Sequence, residues 1–286
     1  MDASSAFGDS GHALTRDGRR LHHVSLGSGR PRVVFESGGN GSRVIWGLVQ
    51  GQVARYTGTL AYDRAGFGRS EPDTAPRCLE RIVDDLEDLL GAVGGGPFVL
   101  VGHSLGGPIC RLLAYRRPDL VAGLVLVDQA AEDCDLYYSR ALAVAGAVSN
   151  LLTAPLTRLG LMGALAGRRL YGRFPPEMLA EVRDEEFTPA ALRAHRAEAR
   201  CLADGFRKLR QVSDDFSLPD VPVTVISATA GAMRAQITGS HRRLARALPR
   251  GRHVWAEGSG HMVPVEAPEL LVREIHALWV RAGGGS

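Results

Sequence analysis

Phe98-Val99-Leu100-Val101 runs without a break into Gly102-His103-Ser104-Leu105-Gly106-Gly107, and an apolar helical stretch from Ile109 to Tyr115 follows at once. A short, continuous apolar run bounded by glycines reads as a strand buried on both faces, and the six residues after it leave room only for a sharp turn into a helix. Runs of the same kind recur at Arg32-Val33-Val34-Phe35, Leu124-Val125-Leu126-Val127 and Val223-Thr224-Val225-Ile226. Between them Leu79, Ile82, Val83, Leu86, Leu90 and Val93 keep the spacing of a helix with one buried face. Alternating strand and helix define an α/β class with a mostly parallel sheet.

The strand ending near Val127 and the strand starting near Val223 lie much further apart than one crossover helix requires. Residues 133–215 are rich in Ala, Leu, Arg and Glu and are punctuated by Pro155, Pro175, Pro176 and Pro189, the pattern of several short helices. The expected organisation is therefore a core from residues 12–132 and 216–281, a helical lid over 133–215 and a flexible tail at 282–286.

Composition narrows the function. With 45% hydrophobic and 23% charged residues, the 286-residue chain has ordinary material for a buried core. Its 34 basic and 31 acidic residues are spread without a Lys/Arg block, so a nucleic-acid partner is not expected. Cys78, Cys110, Cys134 and Cys201 lie far apart, with no CxxC pair and no adjacent His, and are expected to be reduced rather than metal-bound. The first twenty residues lack the apolar core of a signal peptide, and Asn150, Pro155 and Arg158 interrupt the most apolar stretch, Ala141 to Gly167. A cytoplasmic chain without a transmembrane segment is the expectation. No feature specifies an oligomeric state.

The chemistry centres on Gly102-His103-Ser104-Leu105-Gly106. In G-x-S-x-G between a strand and a helix, the glycines clear space for a strained turn that exposes the serine hydroxyl at the positive end of the helix. Ser104 is the candidate nucleophile, and the Leu105 N–H is aimed at a developing oxyanion. A second donor is expected from the loop Glu36-Ser37-Gly38-Gly39-Asn40-Gly41-Ser42, with Gly39 first and Asn40 second. Gly258-Ser259-Gly260-His261-Met262, after the strand Arg252 to Trp255, offers His261 as general base. His22, His23, His195, His241, His253 and His276 fall within strand or helix patterns and read as solvated or packing residues.

These motifs, with Asp63-Arg64-Ala65-Gly66-Phe67-Gly68-Arg69-Ser70, resemble the α/β-hydrolase superfamily in its lidded branch of esterases, lactonases, epoxide hydrolases and C–C bond hydrolases. The resemblance covers residues 12–281 apart from the lid. It implies an eight-stranded-type sheet flanked by helices, no cofactor or metal, and a loop-holding role for Asp63. The family usually takes its third member, an acid, from the segment after the strand Val223 to Ile226, yet Ser227-Ala228-Thr229-Ala230-Gly231-Ala232-Met233 contains none. Asp128, at the end of the strand Leu124 to Val127, is the alternative position, with Glu132, Asp133 and Asp135 as weaker substitutes.

The reading that follows is a serine hydrolase cleaving a carboxylic ester, lactone or thioester through an acyl-enzyme on Ser104. An acyltransferase or cyclase, a C–C bond hydrolase, or an inactive ligand-binding member of the fold are the alternatives. Some of Leu142, Val144, Val148, Leu151, Leu152, Leu156, Leu159, Leu161, Met162 and Leu165 is expected to line a pocket for a small, largely apolar acyl substrate. Arg193, Arg196, Arg200 and Arg207, interspersed with Glu198 and Asp204, read as a solvated helix face with an Arg200–Asp204 pair.

Overall fold

The computed structural model describes residues 7–39, 41–139, 146, 152–231 and 234–285. Among them are eight strands: β1 (Asp9–Leu14), β2 (Arg20–Leu26), β3 (Val33–Glu36), β4 (Thr59–Tyr62), β5 (Phe98–His103), β6 (Val121–Val127), β7 (Val223–Ala228) and β8 (Gly251–Ala256). They form one sheet in the order β1-β2-β4-β3-β5-β6-β7-β8. The pairs β1–β2 and β2–β4 are antiparallel, and every pairing from β4 to β8 is parallel. This is the α/β-hydrolase fold, a mostly parallel sheet flanked by helices.

Side chains alternate between the two faces of each strand, and each face supports its own core. Val34, Leu60, Leu100, Leu124 and Leu126 face one core, together with α1 (Leu79–Val93) and α2 (Gly106–Arg116). Val33, Phe35, Val99, Val101, Val125 and Val127 face the other with Trp46, Leu271, Ile275 and Leu278. Both faces are covered, which is why the central strands read as unbroken apolar runs. Truncating one such residue, as in Leu100→Ala, would cost about 2–5 kcal/mol. The polar pair β1 and β2 is not foreseen from the sequence pattern, because only part of each strand is buried.

Strand order and register position the site. After β3 the chain moves to β4 on one side and then crosses to β5 on the other, so the connections after β3 and β5 diverge and leave a crevice at the strand ends. In β5 and β6, His103 pairs with Val127, which sets the next residues, Ser104 and Asp128, side by side on neighbouring strand ends.

Between β6 and β7 the chain forms α3 (Leu161–Tyr171), α4 (Pro176–Glu185) and α5 (Pro189–Asp215). Two expectations for this segment are met only in part. Leu152, Leu159, Leu161 and Leu165 are exposed rather than turned into a pocket, whereas Met162 lines a cavity beside Phe67; Leu142, Val144, Val148 and Leu151 lie outside the described residues. On α5, Arg193, Arg200 and Arg207 are exposed, but Glu198 is only 3% exposed, and Asp204 pairs with Arg207 instead of with Arg200. The three-residue spacing serves as well as four on a helix surface. At the chain end Gly284 is buried and its N–H donates to the Trp279 carbonyl, so this part of the expected tail is packed. α6 (Arg234–Ala247) and α7 (Pro268–Arg281) complete the helices used below. No described helix is long and apolar enough to cross a membrane.

Candidate active site

Ser104 and Asp128 are the two described non-glycine residues with positive φ, +52° and +40°. Such conformations are strained for a residue with a Cβ and persist where the surroundings impose them. At Ser104 the surroundings are the crowded turn itself. A Cβ on Gly102 would come within 2.4 Å of the Gly106 carbonyl oxygen, and one on Gly106 within 2.4 Å of the Glu36 carbonyl oxygen. The Ser104 N–H donates to the Val127 carbonyl at 3.0 Å, tying the turn to β6.

His261 stands in the loop after β8. Its Nε2 is 3.0 Å from Ser104 Oγ, and its Nδ1 is 2.6 Å from Asp128 Oδ2. With Nδ1–H donating to the carboxylate, Nε2 is left to accept the Ser104 hydroxyl proton. Asp128 is 1% exposed and has three donors: His261 Nδ1 and Arg234 Nη1 on Oδ2, the latter at 2.6 Å, and the Ala228 N–H on Oδ1 at 3.1 Å. Burial pushes the carboxyl pKa up, but the hydrogen bonds and charges of His261 and Arg234 outweigh it and hold it well below the usual range. Of the alternative acids, Glu132 is committed to Arg111 and Asp133 to Arg243. The end of β7 and the start of α6 thus supply donors to an acid at the end of the neighbouring strand.

Gly39 and Leu105 flank Ser104 on one cavity wall. Their N–H directions follow from peptide planarity, because the carbonyl and the N–H of one trans peptide point opposite ways. The Ser104 carbonyl accepts from the Gly107 and Ala130 N–H groups, at 3.1 and 2.9 Å, so the Leu105 N–H faces away from them. The Gly38 carbonyl accepts from Arg64 Nη2 at 2.5 Å, which turns the Gly39 N–H away from Arg64. Asn40 lies outside the described residues.

The profile of the Alpha/beta hydrolase family matches residues 33–274. The chain belongs to the α/β-hydrolase family. An uncharacterized Bacillus subtilis protein is 36% identical over 122 residues, 42% of this chain and 48% of that protein. The mouse sn-1-specific diacylglycerol lipase is 39% identical over 100 residues, 34% of this chain and 32% of the lipase. The matched stretches therefore span about half of the first relative and a third of the second. Among solved structures, a putative epoxide hydrolase from Pseudomonas aeruginosa superposes with a TM-score of 0.77 at 20% identity, covering 99% of both chains. The enol-lactonase from Burkholderia xenovorans superposes with a TM-score of 0.70 at 22% identity, covering 94% of this chain and all 100% of the lactonase. These structures share the fold.

Several residues of this α/β-hydrolase frame the site, and apart from Asp63 none is singled out by its sequence. Arg64 is buried and binds Glu36 Oε1, the Ser37 and Gly38 carbonyls, and both carboxylate oxygens of Glu198. It joins the glycine loop to α5. Asp63 holds the same loop from the other end, accepting from the Arg43 N–H at 2.8 Å and from His22 Nδ1 at 2.8 Å. His195, expected to be a packing or solvated residue, donates from Nδ1 to the Gly39 carbonyl at 2.8 Å. His195 and Glu198 sit three residues apart on one face of α5, and that spacing is the available sequence signal. His103 donates from Nε2 to the His261 carbonyl at 2.8 Å; burial and the neighbouring His261 push its pKa down to about 3, which keeps it neutral.

Two chambers meet at Ser104 and Gly39. One, of about 250 Å³, is bordered by Gly38, Ile45, Tyr171, Glu186, His261 and Met262. The other, of about 130 Å³, is bordered by Leu105, Ala130, Tyr137, His195, Ala199 and Leu202. Among the described residues no three His, Cys, Asp or Glu side chains are grouped to hold a metal ion.

Proposed function

We propose that this α/β-hydrolase is a serine hydrolase that cleaves a carboxylic ester, lactone or thioester through an acyl-enzyme on Ser104. The observation that carries the reading is the continuous hydrogen-bonded line from Ser104 Oγ through His261 to Asp128, with steps of 3.0 and 2.6 Å. His261 takes the Ser104 proton as Oγ attacks the substrate carbonyl, and Asp128 orients the imidazole and stabilises the imidazolium. The Gly39 and Leu105 N–H groups receive the oxyanion, where one such donor is typically worth about 10²–10³ in rate. Collapse of the tetrahedral intermediate expels the leaving group with the proton from His261, and water, activated by the same imidazole, then releases the acid.

An alkyl-enzyme route of the kind used to open epoxides needs a carboxylate nucleophile, and position 104 is serine. The helices α3–α5 act in this reading as a cap over the crevice, and Arg64 and His195 brace the glycine loop against it. The test is labelling by a fluorophosphonate together with turnover of p-nitrophenyl esters, lactones and acyl thioesters. The wild type should label and turn over at least one class, and Ser104→Ala should do neither. Persistent labelling of the variant would overturn the assignment.

A further inference from the structure

We propose that Glu186 recognises a hydrogen-bonding group on the leaving alcohol of the substrate, so that the preferred ester joins a short apolar acyl group to a hydroxylated alcohol. The proposal deepens the serine-hydrolase reading and rests on it for the direction of the substrate.

The direction comes from the proton. In the acylation step the bond between the carbonyl carbon and the leaving oxygen breaks, and that oxygen must receive the His261 proton. The leaving group therefore lies on the His261 side of Ser104. Of the two chambers meeting at Ser104, the larger is bordered by His261, and the smaller is not. The larger takes the alcohol and the smaller the acyl chain.

The linings match this division. Leu105, Ala130, Ala199 and Leu202 give the smaller chamber mainly apolar walls, and its polar members Glu198 and His195 are already bonded to Arg64 and to the Gly39 carbonyl. Its volume of about 130 Å³ is close to the roughly 150 Å³ apolar cavity that accepts benzene, so a short acyl chain suits it. In the larger chamber Glu186 stands in the wall with Tyr171 beside it. Glu186 is 6% exposed, and among the described residues its Oε2 has no hydrogen-bond partner. A buried carboxyl oxygen without a partner is costly, and a ligand group that satisfies it recovers that cost. Burial raises the Glu186 carboxyl to about 8, so at neutral pH it is largely an uncharged acid that can donate to and accept from a hydroxyl. Glu186 also borders a second cavity, lined by Phe67 and Met162.

The experiment compares butyrate esters in matched pairs of equal heavy-atom count: 2-hydroxyethyl with propyl, 3-hydroxypropyl with butyl, and 4-hydroxybutyl with pentyl. The wild type is expected to favour the hydroxylated member of at least one pair by tenfold or more in kcat/KM. Glu186→Leu should remove that preference, and Glu186→Gln, which keeps a donor and an acceptor, should restore most of it. The same preference, read as affinity by calorimetry on the 286-residue Ser104→Ala protein, does not depend on turnover. A wild type that labels with fluorophosphonate but shows no preference in any pair overturns the role of Glu186 and leaves the nucleophile standing. A preference that survives in Glu186→Leu, with the variant folded by its melting profile, overturns it equally.

Discussion

Arg234 Nη1 lies 2.6 Å from Asp128 Oδ2, the oxygen that also receives His261 Nδ1. Asp128 is fully buried on its side chain, and Arg234 is 17% exposed, so the pair is shielded from water on most sides. One carboxylate therefore fixes an imidazole and a guanidinium that approach from different segments of the chain.

Replacing Arg234 by Met should destabilise the protein at pH 7, and the deficit should shrink in acid. The sign follows from linkage. Folding lowers the Asp128 pKa, so its contribution is present above the unfolded value of 3.8 and is lost as pH falls through the folded one. In Arg234→Met the folded pKa moves back up, and the difference between the two proteins narrows as pH drops below about 4. Urea denaturation of both proteins between pH 7 and pH 3 measures it; a deficit that does not change with pH would disprove the charge-based role.

Asp128→Asn should lower kcat by about 10³–10⁴ with a much smaller change in KM, because the amide can donate towards Nδ1 and stabilise the wrong tautomer. Steady-state kinetics on the best p-nitrophenyl ester reads the split. Undiminished turnover would show that Asp128 does not orient the base.

Arg64→Met should act on both stability and rate. It leaves Glu36 and Glu198, both buried, without their shared cation, and breaking a buried pair from one side costs about 3–5 kcal/mol. It also takes from the Gly38 carbonyl one of its two donors, leaving the Gly41 N–H at 2.9 Å, so the Gly39 N–H is held less firmly and kcat should fall by about 10-fold. Glu198→Gln keeps the Arg64–Gly38 contact and should lose stability with a much smaller loss of kcat. Equal rate losses in the two variants would contradict the orientation argument.

Glu186 makes stability fall as pH rises. Folding raises its pKa from 4.5 to about 8, chiefly through burial, with the charge of Asp63 adding to it and the Tyr171 hydrogen bond opposing it. Between those values the folded chain holds a proton that the unfolded chain has released, so the stabilisation present below 4.5 declines through pH 8 and then levels off. The Tm of the wild type relative to Glu186→Gln should therefore decrease from pH 5 to pH 8. A constant difference would show that Glu186 ionises normally in the fold.

Much of this arrangement is legible in the chain because local physics determines it. An apolar run such as Phe98 to Val101 can be little other than a covered strand, and Gly102 and Gly106 are required where a side chain would strike backbone. Ser104, His261 and Asp128 stand at strand ends that such runs announce. Arg64, His195 and Arg234 carried no comparable signal. Each is an ordinary charged or polar residue of its own segment, and its place depends on partners far along the chain: Glu198 is 134 residues from Arg64, Gly39 is 156 from His195, and Asp128 is 106 from Arg234.

The amino-acid order alone thus determined the class of fold, the strained bend at Ser104 and the residue types available for chemistry, since periodicity and the steric demands of glycine act over a few neighbours. Only the folded chain decided which carboxylate meets His261, which way the Gly39 and Leu105 N–H groups face, and that Glu186 looks into the chamber beside Ser104. Those outcomes depend on strand order, register and the packing of α5 against Arg64 and the glycine loop, where buried polar groups find partners that sequence distance conceals.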